Sequence, residues 1–203
     1  MKRYVISGIG TEVGKTVVSA IVSEALKATY WKPVQAGELE NTDSHKVQRL
    51  TSNVRILPEA YKLKEPMSPH AAAEIDGVNI QLNDFNLPQV DGNFIIEGAG
   101  GLLVPINMQG LLYADVFKNW NLPVIIVSRH YLGSINHSLL TAEVLKKRDI
   151  KIAGWIFVGE ENKTSESIIL KVTDLPMIAR IPLVSEVTIE FVSVQAAKIA
   201  SQL

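Results

Sequence analysis

Residues Gly8-Ile9-Gly10-Thr11-Glu12-Val13-Gly14-Lys15-Thr16 follow a short apolar run, Tyr4 to Ser7, and lead into Val17, Val18, Ile21, Val22, Ala25 and Leu26. Apolar residues at that spacing form one face of an α-helix, so the stretch reads as strand, glycine loop and helix. In this context a Gly-Lys-Thr ending binds phosphate. The glycines let backbone N–H groups turn inward around a polyphosphate, Lys15 neutralises its terminal phosphates, and the Thr16 hydroxyl can ligate Mg²⁺ at the helix start. The spacing is one residue longer than the strict pattern, because Ile9 stands where the first glycine is usual and the glycine lies at position 8. A glycine-rich turn with an exposed lysine leaves the Gly-Lys-Thr ending on a helix start unexplained. A dinucleotide fingerprint also fails: Gly8, Gly10 and Gly14 are spaced G-x-G-x-x-x-G, and the next strand brings Lys32 where an acid would meet a ribose. The expected ligand is a nucleoside triphosphate.

The bulk properties are those of a globular α/β protein. A chain of 203 residues that is 47% hydrophobic can bury the core of one domain, expected to span 1–203. A net charge of −1 and the lack of a long basic run argue against a nucleic-acid partner. No apolar run approaches the length of a membrane span, and Tyr4 to Ile9 is too short for the core of a signal peptide. The chain has no cysteine, which excludes disulfides, thiolate catalysis and Cys-ligated zinc. A cytoplasmic protein without membrane contact is expected.

Expected strands are Tyr4–Ser7, Tyr30–Val34, Phe94–Glu97, Pro123–Ser128, Ile152–Val158 and Met177–Ile181. Most are near-continuous apolar runs of the kind buried on both faces. Helical patterns alternate with them at Lys15–Ala28, Ser44–Thr51, Ala114–Trp120, Ile135–Arg148, Ser165–Val172 and Ser193–Gln202. The alternation predicts a parallel sheet with helices on both faces, of the P-loop NTPase type, with ligands at the carboxyl ends of the strands. Residues 54–93, with Pro58, Pro66, Pro69 and Pro88, are the least regular and read as a flap or insertion.

The strand ends carry the candidate chemistry. Lys32, in Trp31-Lys32-Pro33-Val34-Gln35, brings a second cation beside the phosphate loop. Glu97 emerges from Ile95-Ile96 and is followed by Gly98-Ala99-Gly100-Gly101, where backbone can approach a ligand. A buried carboxylate needs a partner, and Mg²⁺ is a natural one. Asp43, in Asn41-Thr42-Asp43, suits either a third oxygen ligand or a helix N-cap. Mg²⁺ takes few protein oxygens besides water and phosphate, so Thr16, Asp43 and Glu97 would suffice. His45, His70, His130 and His137 show no paired metal spacing and read as polar surface or capping residues.

Together, Thr-Glu-Val-Gly-Lys-Thr at 11–16, Lys-Pro-Val-Gln at 32–35, Asn-Thr-Asp at 41–43, Ser-Pro-His at 68–70, Glu-Gly-Ala-Gly-Gly at 97–101 and Leu-Gly-Ser-Ile-Asn-His at 132–137 resemble the dethiobiotin synthetases. The resemblance runs from residue 3 to about Ile156. It implies an ATP- and Mg²⁺-dependent ligase of biotin biosynthesis that closes a ureido ring on 7,8-diaminopelargonic acid with CO₂. It implies catalytic roles for Thr11, Lys15 and Lys32, and metal ligation by Thr16, Asp43 and Glu97. Nucleotide contacts would come from Glu12, Val13, Gly14, Lys15, Thr16 and Val17, and from Pro182, Leu183 and Val184. Substrate contacts would come from Thr11, Lys32, Ala36 and Gly100, and from Leu132, Gly133, Ser134, Ile135 and Asn136 across a homodimer interface with composite active sites.

Three departures from that family stand out. It usually reads Gly-Thr-Asp-Thr where this chain has Gly8-Ile9-Gly10-Thr11; a small hydroxyl residue is usual at Ala36; and Val158 stands where an Asn would read an adenine edge. Two other functions share the motif. A partitioning or positioning ATPase carries an extra lysine early in the loop, where this chain has Gly10, and an amidating synthetase needs a glutaminase cysteine that is absent. A degenerate nucleotide-binding relative would fit Ile9, Gly10 and Ala36, but Lys15, Lys32, Asp43 and Glu97 are all present.

Overall fold

The apolar runs build the middle of a parallel sheet. A computed structural model describes residues 1–203. Its seven-stranded sheet contains β1 (Arg3–Gly8), β2 (Thr29–Trp31), β4 (Arg55–Leu57), β6 (Phe94–Gly101), β7 (Val124–Arg129), β8 (Ile152–Val158) and β9 (Met177–Ile181). A separate parallel pair joins β3 (Val34–Ala36) to β5 (Tyr61–Leu63). The helices are α1 (Lys15–Leu26), α2 (Asp43–Leu50), α3 (Pro69–Ile75), α4 (Tyr113–Trp120), α5 (Ser134–Lys147), α6 (Lys163–Thr173) and α7 (Ile189–Ile199).

The strand order β4-β2-β6-β1-β7-β8-β9 takes the chain first to one side of β1 and later to the other. Right-handed crossovers then put α1 and α2 on one face and α4, α5 and α6 on the opposite face. The contacts agree, since α1 packs on α2 and α7 while α5 packs on α6. Val5, Ile6, Ile95, Ile96, Ile125, Ile126 and Ile156 have no exposed surface. Burial of each such side chain contributes roughly 1.5–3 kcal/mol. Because the order of connections reverses around β1, a crevice opens beyond its carboxyl end, where the phosphate loop begins.

The structure departs from the expected elements in four places, one being that β6 runs on to Gly101, four residues past the expected end at Glu97. The expected strand Tyr30–Val34 is two strands: the chain leaves the main sheet after Trp31 and resumes as β3. Pro33 lies at the break and has no N–H to give to a ladder. Residues 54–93 are a folded segment holding β4, β5, α3 and a 3₁₀ turn at Leu82–Phe85, whose Phe85 is buried and accepts a 2.6 Å hydrogen bond from Trp120 Nε1 through its carbonyl. The last helix starts earlier than Ser193, because Thr188 Oγ1 caps it by accepting from the Phe191 N–H at 3.2 Å.

Candidate active site

The strand register assembles the charged centre. β2 pairs with β6 so that Tyr30 lies opposite Ile95 and Trp31 opposite Ile96. One step further brings Lys32 beside Glu97. Side chains alternate across a sheet, so Tyr30, Lys32 and Glu97 share a face. That face is the one α1 covers, since Thr16 Oγ1 donates to Glu97 Oε1 at 2.9 Å. Lys32 Nζ donates to the same oxygen at 3.0 Å, and the Tyr30 hydroxyl donates to Glu97 Oε2 at 2.9 Å.

Asp43 completes the centre from α2. Thr42 is the N-cap of this helix: its Oγ1 accepts from the His45 N–H at 3.2 Å while His45 Nδ1 accepts from the Thr42 N–H at 3.3 Å. The alternative role of Asp43 as the cap is therefore excluded, and its carboxylate is left for Lys32, whose Nζ lies 2.5 Å from Oδ2. Lys46, next along the same helical face, lies 3.4 Å from Asp43 Oδ1 and 2.6 Å from Glu38 Oε2 at the rim. Gln35 Oε1 accepts from the Asp43 N–H at 3.2 Å.

Burial and charge oppose each other here. Burial alone would depress the Lys32 pKa, but Glu97 and Asp43 outweigh it and hold the group above the ordinary lysine value. Burial would raise the Asp43 carboxyl, and Lys32 and Lys46 hold it below the usual aspartate value. Lys15, which lacks so close a carboxylate, falls to about 8 through burial, with Lys32 adding to the fall and Glu97 and Asp43 opposing it.

The phosphate loop closes the other wall. Gly14 is the N-cap of α1 at φ 97, a left-handed conformation that glycine adopts without strain. A Cβ there would also meet both Val158 methyl carbons at 3.3 Å. Val158 is thus buried behind the loop, supporting its backbone. No side chain caps α1, so the N–H groups of its first turn remain available to an anion. Lys15 Nζ folds back on Gly10 O at 2.8 Å. Over the cavity, Gly37 at φ 70 abuts Pro66 so closely that a Cβ would approach it to 2.5 Å, which fixes the Pro66–Pro69 segment above the charged centre.

Of the expected residues, Thr11, Glu12, Gly14, Lys15, Thr16, Val17, Lys32, Ala36, Asp43, Glu97 and Gly100 all line one cavity of about 680 Å³. Val13 is buried beside Gly8, behind the loop. Two expected groups lie outside this cavity. Pro182, Leu183 and Val184 are exposed beyond β9, and Leu132, Gly133, Ser134, Ile135 and Asn136 form the turn from β7 into α5, with Leu132 and Asn136 exposed and Ser134 buried. Sequence reasoning missed Tyr30, Gln35 and Lys46. Only Lys46 had a local signal, its i,i+3 spacing from Asp43. The histidines take polar roles: His70 bonds Ser68 Oγ at 2.9 Å, His130 bonds Glu166 at 3.0 Å and His137 bonds Tyr131 at 2.7 Å.

Thr16, Asp43 and Glu97 present a hydroxyl and two carboxylates around a buried lysine, a set of hard oxygen donors that suits Mg²⁺ sharing its shell with water and phosphate.

A parallel sheet with a lysine-bearing glycine loop at its reversal point defines a P-loop nucleotide-dependent protein, and residues 2–190 match the family described as AAA domain. The septum site-determining protein MinD of Pyrococcus horikoshii, solved with Mg-ADP, superposes with a TM-score of 0.63 over 99% of this chain and 93% of that one, at 16% identity. That likeness concerns the fold. An ATP-dependent dethiobiotin synthetase of Christiangramia forsetii is 56% identical over 182 residues, 89% of this chain and 87% of the relative. Another, from Cytophaga hutchinsonii, is 49% identical over 202 residues, 98% of this chain and 97% of the relative. The chain belongs to the ATP-dependent dethiobiotin synthetase family, a family of ligases. No helix is long and apolar enough to cross a membrane.

Proposed function

We propose that the cavity closes the ureido ring of dethiobiotin from diaminopelargonate, CO₂ and ATP. The observation that carries the reading is the convergence of Lys15 and Lys32 with Thr16, Asp43 and Glu97 on one cavity: anion-binding cations stand beside hard oxygen donors. One amine adds to CO₂ and loses a proton, leaving a carbamate. A carbamate oxygen attacks the γ-phosphorus and ADP leaves; the second amine then attacks the carbonyl carbon, closing the ring and expelling phosphate. The substrate itself is phosphorylated, so no enzyme nucleophile is needed. Lys32 and Thr11 would hold the carbamate, and Lys15 with the first-turn N–H groups of α1 would hold the transferring phosphoryl group where negative charge develops. Mg²⁺ held by Thr16, Asp43 and Glu97 would neutralise charge on the β- and γ-phosphates. Carbon-labelled bicarbonate should enter the cyclic urea in step with phosphate release, and phosphate release without label in the ring would reject the reaction.

The nucleotide base has no side-chain reader at Val158, which faces Gly14 from behind. Base contacts then fall to the exposed backbone of Pro182–Val184. A site without buried polar groups does not penalise the wrong base. ATP, GTP and CTP should support turnover within about tenfold of one another, equivalent to less than ~1.4 kcal/mol of discrimination. Strict ATP dependence at saturating diamine would contradict this.

We further propose that Leu132–Asn136 complete the site of a partner copy in a homodimer. This reading accounts for an exposed turn that lies outside its own chain's cavity. Mixing inactive Lys15→Ala and Asn136→Ala chains should restore about a quarter of the wild-type activity per site, because random exchange in a two-fold dimer makes half the dimers mixed and each mixed dimer holds one intact site. Exchange without recovered activity would place both residues in one chain's site.

A further inference from the structure

We infer that Tyr30 is a positioning residue for Glu97: its hydroxyl holds Oε2, keeping Oε1 turned toward Thr16 and Lys32. The inference rests on the proposed role of Glu97 as a Mg²⁺ ligand.

Tyr30 has no exposed surface, and its hydroxyl lies 2.9 Å from Glu97 Oε2. The geometry comes from the sheet. Tyr30 pairs with Ile95 across β2 and β6, and Glu97 follows one pleat repeat along on the same face, a diagonal that a long side chain spans. Both residues sit on strands paired on both sides, which hold a group more firmly than loops do.

The three donors to Glu97 differ in what nucleotide would do to them. Thr16 and Lys32 both face the cavity and donate to Oε1, and both have other work once metal, phosphate and carbamate are present. Tyr30 is absent from the cavity wall. Its bond can persist unchanged while Oε1 exchanges lysine and threonine for a cation. A group that orients a metal-ligating carboxylate in this way typically contributes 10–100-fold to metal affinity.

Tyr30→Phe keeps the packed ring and removes only the hydroxyl. Mn²⁺ affinity in the presence of ADP, read from the electron paramagnetic resonance signal of free Mn²⁺, should fall about tenfold in Tyr30→Phe and further in Glu97→Gln. ADP affinity in EDTA should stay at the wild-type value in Tyr30→Phe. Thermal midpoints confirm that each variant is folded. Weakened Mn²⁺ binding in Glu97→Gln with wild-type binding in Tyr30→Phe overturns the inference alone. Wild-type Mn²⁺ binding in Glu97→Gln overturns the ligand reading and the inference with it. An equal loss of ADP affinity in EDTA for Tyr30→Phe would show a role confined to the fold and would also overturn the inference.

Discussion

Lys15→Ala should abolish turnover. The lysine is 8% exposed, lies at the start of α1 and lines the cavity, with its ammonium 2.8 Å from Gly10 O. A fixed cation at a transferring phosphoryl group contributes at least about 10²-fold in rate, because it stabilises charge that grows in the transition state. The same group should shape the pH profile. Burial, with a smaller push from Lys32, lowers its pKa to about 8 against the opposing pull of Glu97 and Asp43. Lys15 is therefore cationic below that value and neutral above it. In steady-state assays kcat/KM for the nucleotide should fall as pH rises through about 8. Bound polyphosphate favours the charged form, so the corresponding limb of kcat should lie at higher pH. Near-native turnover by Lys15→Ala would remove the phosphate-loop assignment.

Lys32→Met should lose both stability and turnover. The lysine is buried between Asp43 and Glu97, and its removal takes away the cation the two carboxylates share, leaving only Lys46, 3.4 Å from Asp43, beside them. Breaking a buried pair costs about 3–5 kcal/mol; because the Asp43 side chain is 20% exposed, the low end of that range applies. For a chain of this size, about 3 kcal/mol corresponds to a fall in Tm of roughly 6–12 °C. Two further results separate charge from packing. Mg²⁺ with ADP should raise the Tm of the variant more than that of the wild type, because the metal replaces the missing positive charge. The sign of the pH effect follows from Asp43, whose pKa Lys32 and Lys46 hold down against burial. In the wild type its contribution to stability is present above the unfolded-state value and is lost as pH falls through the depressed one. The variant gains no such contribution from Lys32, so its deficit should narrow on acidification. A deficit unchanged by pH or Mg²⁺ would mean that Lys32 acts through packing alone.

The parts of the site that lie within one short stretch were readable from the sequence. Gly8 to Thr16 is continuous, and Lys32 and Glu97 each end an apolar run, so their placement followed from the rule that ligands collect at the carboxyl ends of strands. Tyr30 was not readable, because its meeting with Glu97 depends on the β2–β6 register and on side-chain parity, neither of which leaves a mark in a single strand. Asp43 was ambiguous because the capping box at Thr42 uses His45 in place of the usual Glu or Gln. The strands β3, β4 and β5 are each three residues long, too short for a period-two pattern to stand out. Val158 was visible as a strand end, but its packing behind Gly14 required the crossover from β1 to be placed beside β8 in space.

The central claim, that this cavity spends ATP on joining CO₂ to a diamine, is tested most directly by phosphate release from the purified chain with Mg²⁺, ATP, bicarbonate and diaminopelargonate, omitting each in turn. Release that requires all four, accompanied by dethiobiotin in equal amount, is the predicted result. Release that persists without diamine and bicarbonate, or that rises only when a protein or membrane partner is added, would contradict it.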